Sequence, residues 1–149
     1  MTTIILLGIL GAIISAVVGT LWYSMSTPMG KIHIQTTGFF NFSKEEQEAK
    51  IKEMKPKMWK YYLAQTLLSF LTSVFIAFIM LMQRSFGMGV VAIYGEVIAI
   101  WLCFTIPLIG QSLLWGNVDL KLRWKKLFSD SFSNLVTFMI IIYIFSLII

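Results

Sequence analysis

Charge is scarce in this sequence and unevenly distributed. Only 13% of the 149 residues are charged, whereas an ordinary soluble domain has about 25%. Of the twelve lysines and arginines, seven lie between Lys31 and Lys60 and four between Lys121 and Lys126, which leaves Arg84 alone. Water cannot solvate the long stretches between these groups, so the distribution excludes an ordinary soluble protein. The length fits one domain over residues 1–149.

Cysteine and histidine each occur once. Cys103 can form no intrachain disulfide. His33 has no cysteine, aspartate or second histidine placed to complete a metal site, so it is interpreted as an interfacial polar group. The sequence also lacks a Ser-His-Asp order, a glycine-rich phosphate loop and paired intramembrane carboxylates. These absences predict a protein that is not an enzyme and has no cofactor or metal.

The net charge of +5 raises nucleic acid as a partner. Here, however, the basic residues flank apolar stretches, and no basic helix or RNA-binding motif accompanies them. Anionic lipid headgroups are the predicted counter-charge, and each nearby lysine or arginine contributes on the order of 1 kcal/mol. The predicted partner is therefore the lipid bilayer and not nucleic acid, and no small-molecule ligand is identified.

Four apolar stretches dominate the chain, and each is long enough to cross about 30 Å of hydrocarbon. They cover approximately residues 4–23, 61–82, 88–114 and 127–149. The predicted fold class is all-α: a polytopic membrane protein with four transmembrane helices in an antiparallel bundle.

The charged loop over residues 24–60 is predicted to contain a short helix. Ser43 and Glu46 match the capping-box pattern, in which each side chain binds the other residue's free backbone N–H group. The helix is expected to run from Lys44 to about Met54 and to be interrupted by Pro56.

The positions of the basic residues predict the orientation. The loops after the first and third spans carry eleven lysines and arginines, and the opposite side carries one. Positive residues stay cytoplasmic, so both charged loops are predicted to be cytoplasmic and both termini extracytoplasmic. Aromatic side chains at the cytoplasmic ends of the spans agree with this orientation: Trp22, Tyr23, Trp59, Tyr61, Tyr62, Trp115 and Trp124.

Small and polar side chains recur at helical spacing and predict packing faces, because membrane helices associate by close backbone contact and interhelical hydrogen bonds. The first span carries Gly8, Gly11, Ala12, Ser15, Ala16 and Gly19. The second carries Gln65, Ser69, Ser73 and Ala77, and the third carries Ala92, Gly95, Ala99 and Cys103. These faces are interpreted as contacts between helices or with a second subunit, in preference to a substrate path.

Glu96 is the main candidate for a functional residue. A carboxylate about eight residues into the third span has a high free-energy cost in lipid. Such a residue by default indicates a function, such as carrying a proton or binding a cation. The alternative is a structural hydrogen bond to Gln65, Ser69 or Ser73 on a neighbouring helix. Pro107 is predicted to kink the same span, with Gln111 either satisfying the freed carbonyl groups or lining a small cavity.

Two segments carry a family resemblance. Leu21-Trp22-Tyr23-Ser24, followed by Pro28-Met29-Gly30-Lys31, resembles the prokaryotic family described as domain of unknown function 1761, over nearly the full chain. The family's Trp-Leu-Gly-Phe…Pro signature has its counterpart at 101–107, with Cys103 where the family usually has glycine. The proline expected directly after Ser24 is displaced to Pro28. The matching positions are Trp22, Tyr23, Ser24, Gly30, Lys31, Trp101 and Pro107. The resemblance implies a four-helix membrane protein without an established activity.

Two functional hypotheses follow from these observations. The first is a non-enzymatic membrane protein that acts through helix–helix or lipid contacts, with a second copy or another membrane subunit as partner. The second is a small transporter or channel component that uses Glu96. The first hypothesis is preferred, because ion-coupled transport is expected to need more intramembrane charged groups than one carboxylate.

Overall fold

The computed structural model describes residues 2–36, 42–114 and 119–149, and these residues form helices without any strand. The α-helices are α1 (Thr2–Trp22), α2 (Pro28–Thr36), α3 (Lys44–Ser85), α4 (Val90–Ile100), α5 (Ile106–Leu114) and α6 (Leu120–Ile148). A π-helical turn, Trp101–Thr105, joins α4 to α5. Trp115, one of the predicted interfacial aromatics, lies outside the described residues.

Four helical segments are long and apolar enough to cross a membrane, which confirms that part of the predicted fold. They are Thr2–Trp22, Met58–Ser85, Val90–Gln111 and Leu120–Ile148. The fourth helix begins at Leu120, earlier than the predicted start near Leu127. Asp119 caps it, since its side chain accepts a hydrogen bond from the Lys121 backbone N–H at 3.1 Å.

The interruption predicted at Pro56 is wrong, because α3 runs without a break from Lys44 to Ser85. Proline removes one hydrogen bond, to the carbonyl four residues earlier. Lys52 and Pro56 are both exposed, so water can satisfy that carbonyl. The predicted capping box is confirmed: the Glu46 backbone N–H donates to the Ser43 hydroxyl at 3.3 Å, and the Ser43 backbone N–H donates to Glu46 at 2.8 Å.

The loop after α1 contains a helix that the sequence analysis missed. Pro28 occupies the first position of α2, where its missing N–H costs nothing. The Thr27 hydroxyl accepts from the Gly30 backbone N–H at 3.0 Å, as an N-cap residue does. The Thr-Pro pair is the sequence signal that predicts this start. As a result, the nine-residue helix α2 packs against α6.

The third span changes its helical pitch just before Pro107. The Ile106 backbone N–H bonds to the Trp101 carbonyl, five residues earlier, which defines the π-helical turn. A wider turn of this kind accommodates the proline ring and the missing N–H that follow it. The structure thus has a π-helical turn directly before Pro107, and the kink predicted there stays a prediction.

The core lies where α1, α3, α4 and α6 meet. It consists of Leu7, Ile14, Ile76, Ala77, Met80, Ile93, Val97, Ile141, Ile142 and Phe145. Large apolar side chains are also abundant on the outside, with Val91 85% exposed and Phe128 71% exposed. The third span is covered least: only 11% of its most apolar window is buried within the chain, against 33% in the fourth.

Candidate functional site

Glu96 is hydrogen-bonded to Gln83. The Gln83 side-chain amide donates to both carboxyl oxygens of Glu96, at 2.6 and 2.7 Å. Gln83 is 8% exposed and Glu96 is half-buried. The pair joins the last turn of α3 to the second turn of α4, so it ties the two ends of the connecting turn together.

The partners expected for Glu96, namely Gln65, Ser69 and Ser73, are wrong. Residues close to the α3–α4 turn meet each other, and Gln65 lies 18 residues before Gln83, about 27 Å along the helix axis. Ser73 instead donates to the Ser69 carbonyl of its own helix at 2.7 Å. Gln83 was not predicted as a partner, because the apolar stretches at 61–82 and 88–114 place it in the turn between two spans.

The remaining predicted polar residues do not join Glu96 in one site. Gln65 and Gln111 are both exposed on their helices. Arg84, next to Gln83, donates to the Ser146 carbonyl at 3.4 Å, in the last turn of α6. A cation at that position is favourable because the last carbonyl groups of a helix carry partial negative charge.

The small residues of α1 are divided between packed and open positions. Gly8 and Gly11 are buried: a Cβ atom at Gly8 would lie 2.8 Å from the Phe70 ring, and one at Gly11 would contact Ser73. Ala12 is also buried, and Ser15 is half-buried with its hydroxyl bonded to the Gly11 carbonyl at 2.9 Å. Gly19 differs, because a Cβ atom there would have nothing within 4 Å.

A second polar group forms where the end of α1 meets α6. The Trp22 indole N–H donates to the Ser129 hydroxyl at 3.3 Å, and its ring lies 5.9 Å from the Phe132 ring. The Trp101 indole N–H donates to the Ser131 carbonyl at 2.7 Å. Two tryptophans from different spans therefore bind the same turn of α6.

Four ionisable side chains close a ring beside these tryptophans. The Tyr23 hydroxyl donates to Asp130 Oδ1 at 2.8 Å, and Lys126 Nζ lies 2.8 Å from Asp130 Oδ2. Lys126 Nζ also lies 3.3 Å from His33 Nδ1. The His33 and Tyr23 rings complete the circuit, with centroids 5.0 Å apart. We call Tyr23, His33, Lys126 and Asp130 the polar ring; it links the end of α1, α2 and α6.

The surroundings of the polar ring shift the proton affinities of two members. Burial, followed by the charge of Lys126, lowers the pKa of His33, and Asp130 opposes this in part. Burial and the neighbouring Asp130 carboxylate raise the pKa of Tyr23, the first residue after α1. The phenol therefore keeps its proton and remains a donor to Asp130.

Close backbone packing brings α2 to the ring. Gly30 is buried, and a Cβ atom there would contact the Ser24 carbonyl and lie 2.8 Å from the Tyr23 carbonyl oxygen. Of the positions that carry the family resemblance, Trp22, Tyr23, Ser24, Gly30 and Trp101 gather around one end of α6, whereas Lys31 and Pro107 are exposed.

The sequence analysis missed the α6 side of this region. Lys126 and Asp130 stand four residues apart, the spacing at which opposite charges meet on a helix. Ser129, Ser131 and Ser133 interrupt an otherwise apolar segment and are all buried. That polar run, which encloses Asp130, is the signal that predicts an interhelical contact here. The Ser131 hydroxyl has no hydrogen-bond partner among the described residues.

Comparisons of this chain with protein-family models, with curated proteins and with solved structures find no match. The family resemblance therefore stays a prediction. Within the described residues, no group of three or more histidine, cysteine, aspartate or glutamate side chains is placed to hold a metal ion.

Proposed function

We propose that this chain is a non-enzymatic integral membrane protein that acts through helix–helix and lipid contacts, with a second copy as its partner. Its four apolar helices cross the bilayer as an antiparallel bundle. The contacts of α1 with α6 support this arrangement: Gly11 lies near Phe145, whereas Trp22, further along α1, binds Ser129, earlier in α6. The two helices therefore run in opposite directions.

The proposed orientation keeps the charged loops in the cytoplasm and both termini outside. The polar ring and the basic start of α6 then lie at the cytoplasmic end, and the Gln83–Glu96 pair lies at the outer end. Cysteines introduced at Thr2 or Ser85, in a Cys103→Ala background, should react with an impermeant maleimide added outside whole cells. Cysteines at Lys50 or Lys125 should react only after lysis, and the reverse pattern would overturn the orientation.

The uncovered surface of the third span is the observation that carries the proposed helix–helix function. Gly95, Ala99 and Cys103 are all exposed, and a Cβ atom at Gly95 would have nothing within 4 Å. In lipid, small side chains let another helix approach closely, which increases van der Waals contact between the backbones. The Glu96 carboxyl group, by contrast, is paired within the chain, with Gln83.

Cys103 provides a direct test of this contact. Oxidation of membranes containing the wild-type chain should give a disulfide-linked dimer through Cys103. The matched control moves the cysteine by one position, with Cys103→Ala and Phe104→Cys. Phe104 is also exposed, at 64%, and consecutive residues of a helix lie on different parts of its surface. Equal cross-linking of the two variants, or none at Cys103, would contradict the proposed contact.

The alternative function is transport that uses Glu96, and its half-buried carboxyl group is the observation in its favour. Glu96→Gln keeps an amide able to bond to Gln83 but has no proton to release. Loss of proton-coupled solute uptake in proteoliposomes, with unchanged folding of this variant, would replace the helix-contact proposal by the transport function.

A further inference from the structure

His33 is the side chain through which α2 touches the charged groups of α6. Lys126 and Asp130 from α6 and Tyr23 from the end of α1 face its ring. Lys31, on α2 itself, is exposed. The imidazole is half-buried among these groups, so its charge state affects how α2 lies on α6.

The contact with Lys126 requires a neutral imidazole. An ammonium group has three donors and no acceptor, so at 3.3 Å from Lys126 Nζ the His33 Nδ1 atom must accept. The proton of the neutral ring then resides on Nε2. A second proton, on Nδ1, would remove this hydrogen bond and place two cations in contact.

The single carboxylate of Asp130 cannot neutralise both Lys126 and a protonated His33. Its two carboxyl oxygens accept from the Tyr23 hydroxyl and from Lys126, each at 2.8 Å, and together they carry a single negative charge. One carboxylate would therefore face two positive charges if His33 gained a proton. The Gly30 backbone contact, by contrast, involves uncharged groups and does not change with pH.

We propose that His33 is a proton-operated latch between α2 and α6. When its imidazole is neutral, α2 is docked on α6 through the hydrogen bond with Lys126. When the imidazole is protonated, its repulsion from Lys126 releases α2 and so opens the polar ring. The inference goes beyond the proposed membrane function and holds for either orientation of the chain.

The sign of the pH dependence follows from linkage. Burial and Lys126 hold the pKa of docked His33 below its ordinary value, so the docked state binds fewer protons than the released state. Docking is complete above the ordinary pKa of about 6.5 and weakens as the pH falls below it. The docking equilibrium falls tenfold for each unit by which the two pKa values differ.

The first experiment measures the titration of His33 directly. Because His33 is the only histidine, the imidazole nitrogens of the ¹⁵N-histidine-labelled protein in detergent micelles give one pair of resonances. Their titration midpoint should lie below that of free histidine. Lys126→Met removes the neighbouring cation and leaves Asp130, so the midpoint should rise. An unchanged midpoint in this variant would overturn the role of Lys126 in the latch.

The second experiment measures whether α2 moves. Spin labels at Gln35 on α2 and Leu147 near the far end of α6, both exposed positions, are introduced in a Cys103→Ala background. At pH 8 the distance distribution should be narrow, and below the His33 midpoint a second population should appear. A distribution that stays unchanged once His33 is protonated would overturn the proposal.

Two variants separate the latch from a general effect of acid. His33→Asn places an amide oxygen close to the position of Nδ1 and cannot titrate, so its distribution should stay narrow at both pH values. Lys126→Met removes the hydrogen bond together with the repulsion and leaves the Asp130 carboxylate to attract a protonated His33, so acid should not release α2. Acid-induced broadening of the same size in both variants would show that other groups release α2, which would overturn the proposal.

Discussion

Gly11 provides the sharpest test of how the bundle is packed. A Cβ atom at this position would contact the Ser73 side chain and lie 3.3 Å from Phe145 Cζ. Ser73 and Phe145 are both fully buried, so neither can move aside into solvent. Gly19 in the same helix is the matched control, because a Cβ atom there would have nothing within 4 Å.

The magnitude follows from a comparison of Gly11→Ala with Gly19→Ala. Both substitutions gain about 1 kcal/mol of helix propensity relative to glycine, so this gain cancels in the comparison. Overpacking of a well-packed interior costs about 1–3 kcal/mol. Gly11→Ala should therefore be less stable than Gly19→Ala by about that amount. The assay is reversible unfolding in mixed micelles with increasing sodium dodecyl sulfate, followed by circular dichroism.

A compensating change at Ser73 tests the mechanism. Ser73→Gly removes the side-chain atoms that the new methyl group would meet, so Gly11→Ala combined with Ser73→Gly should recover part of the lost stability. Residues in contact show such non-additive effects in double-mutant cycles. The reasoning would be refuted if Gly11→Ala were at least as stable as Gly19→Ala, or if the double variant showed no recovery.

Two further predictions concern the polar pair and the α2 contact. Glu96→Leu should reduce the free energy of unfolding by roughly 0.6–1.7 kcal/mol, as for other interhelical hydrogen bonds in membranes. Glu96→Gln should leave that free energy almost unchanged. Equal effects of the two variants in detergent unfolding would show that the bond to Gln83 contributes nothing to stability. Gly30→Ala should loosen the packing of α2, because its methyl group would meet backbone and not a flexible side chain. Limited proteolysis should then cleave the loop after α1 faster than in the control variant Gly95→Ala. Equal cleavage rates would contradict the close packing at Gly30.

The sequence predicted the helices much better than the contacts between them. Apolar length and the spacing of charged residues are local properties, so the four long apolar helices and the Ser43 capping box could be found without a structure. The partner of Glu96 could not, because it depends on where α3 ends. An error of a few residues in that end moved Gln83 from the helix into the turn and made Gln65 the expected partner.

The polar ring was missed for a related reason. Lys126 was interpreted only as a loop charge that sets the orientation, whereas in the structure it lies on the second turn of α6 and faces a helix that was predicted as loop. The burial of His33 depends on α2 folding back onto α6. Such long-range packing depends on how the helices lie relative to one another. The hydrophobic periodicity of a single sequence carries no information about those positions.

The unbroken length of α3 has a mechanical consequence. Its 42 residues span about 63 Å, whereas the hydrocarbon core is about 30 Å thick. Lys44–Lys57 precede the apolar span, so about 21 Å of helix extends beyond it on the charged side. Tilting α3 as one body by about 10° would displace one end relative to the other by about 11 Å. A small rearrangement among the packed helices would thus become a large displacement of the charged end of α3.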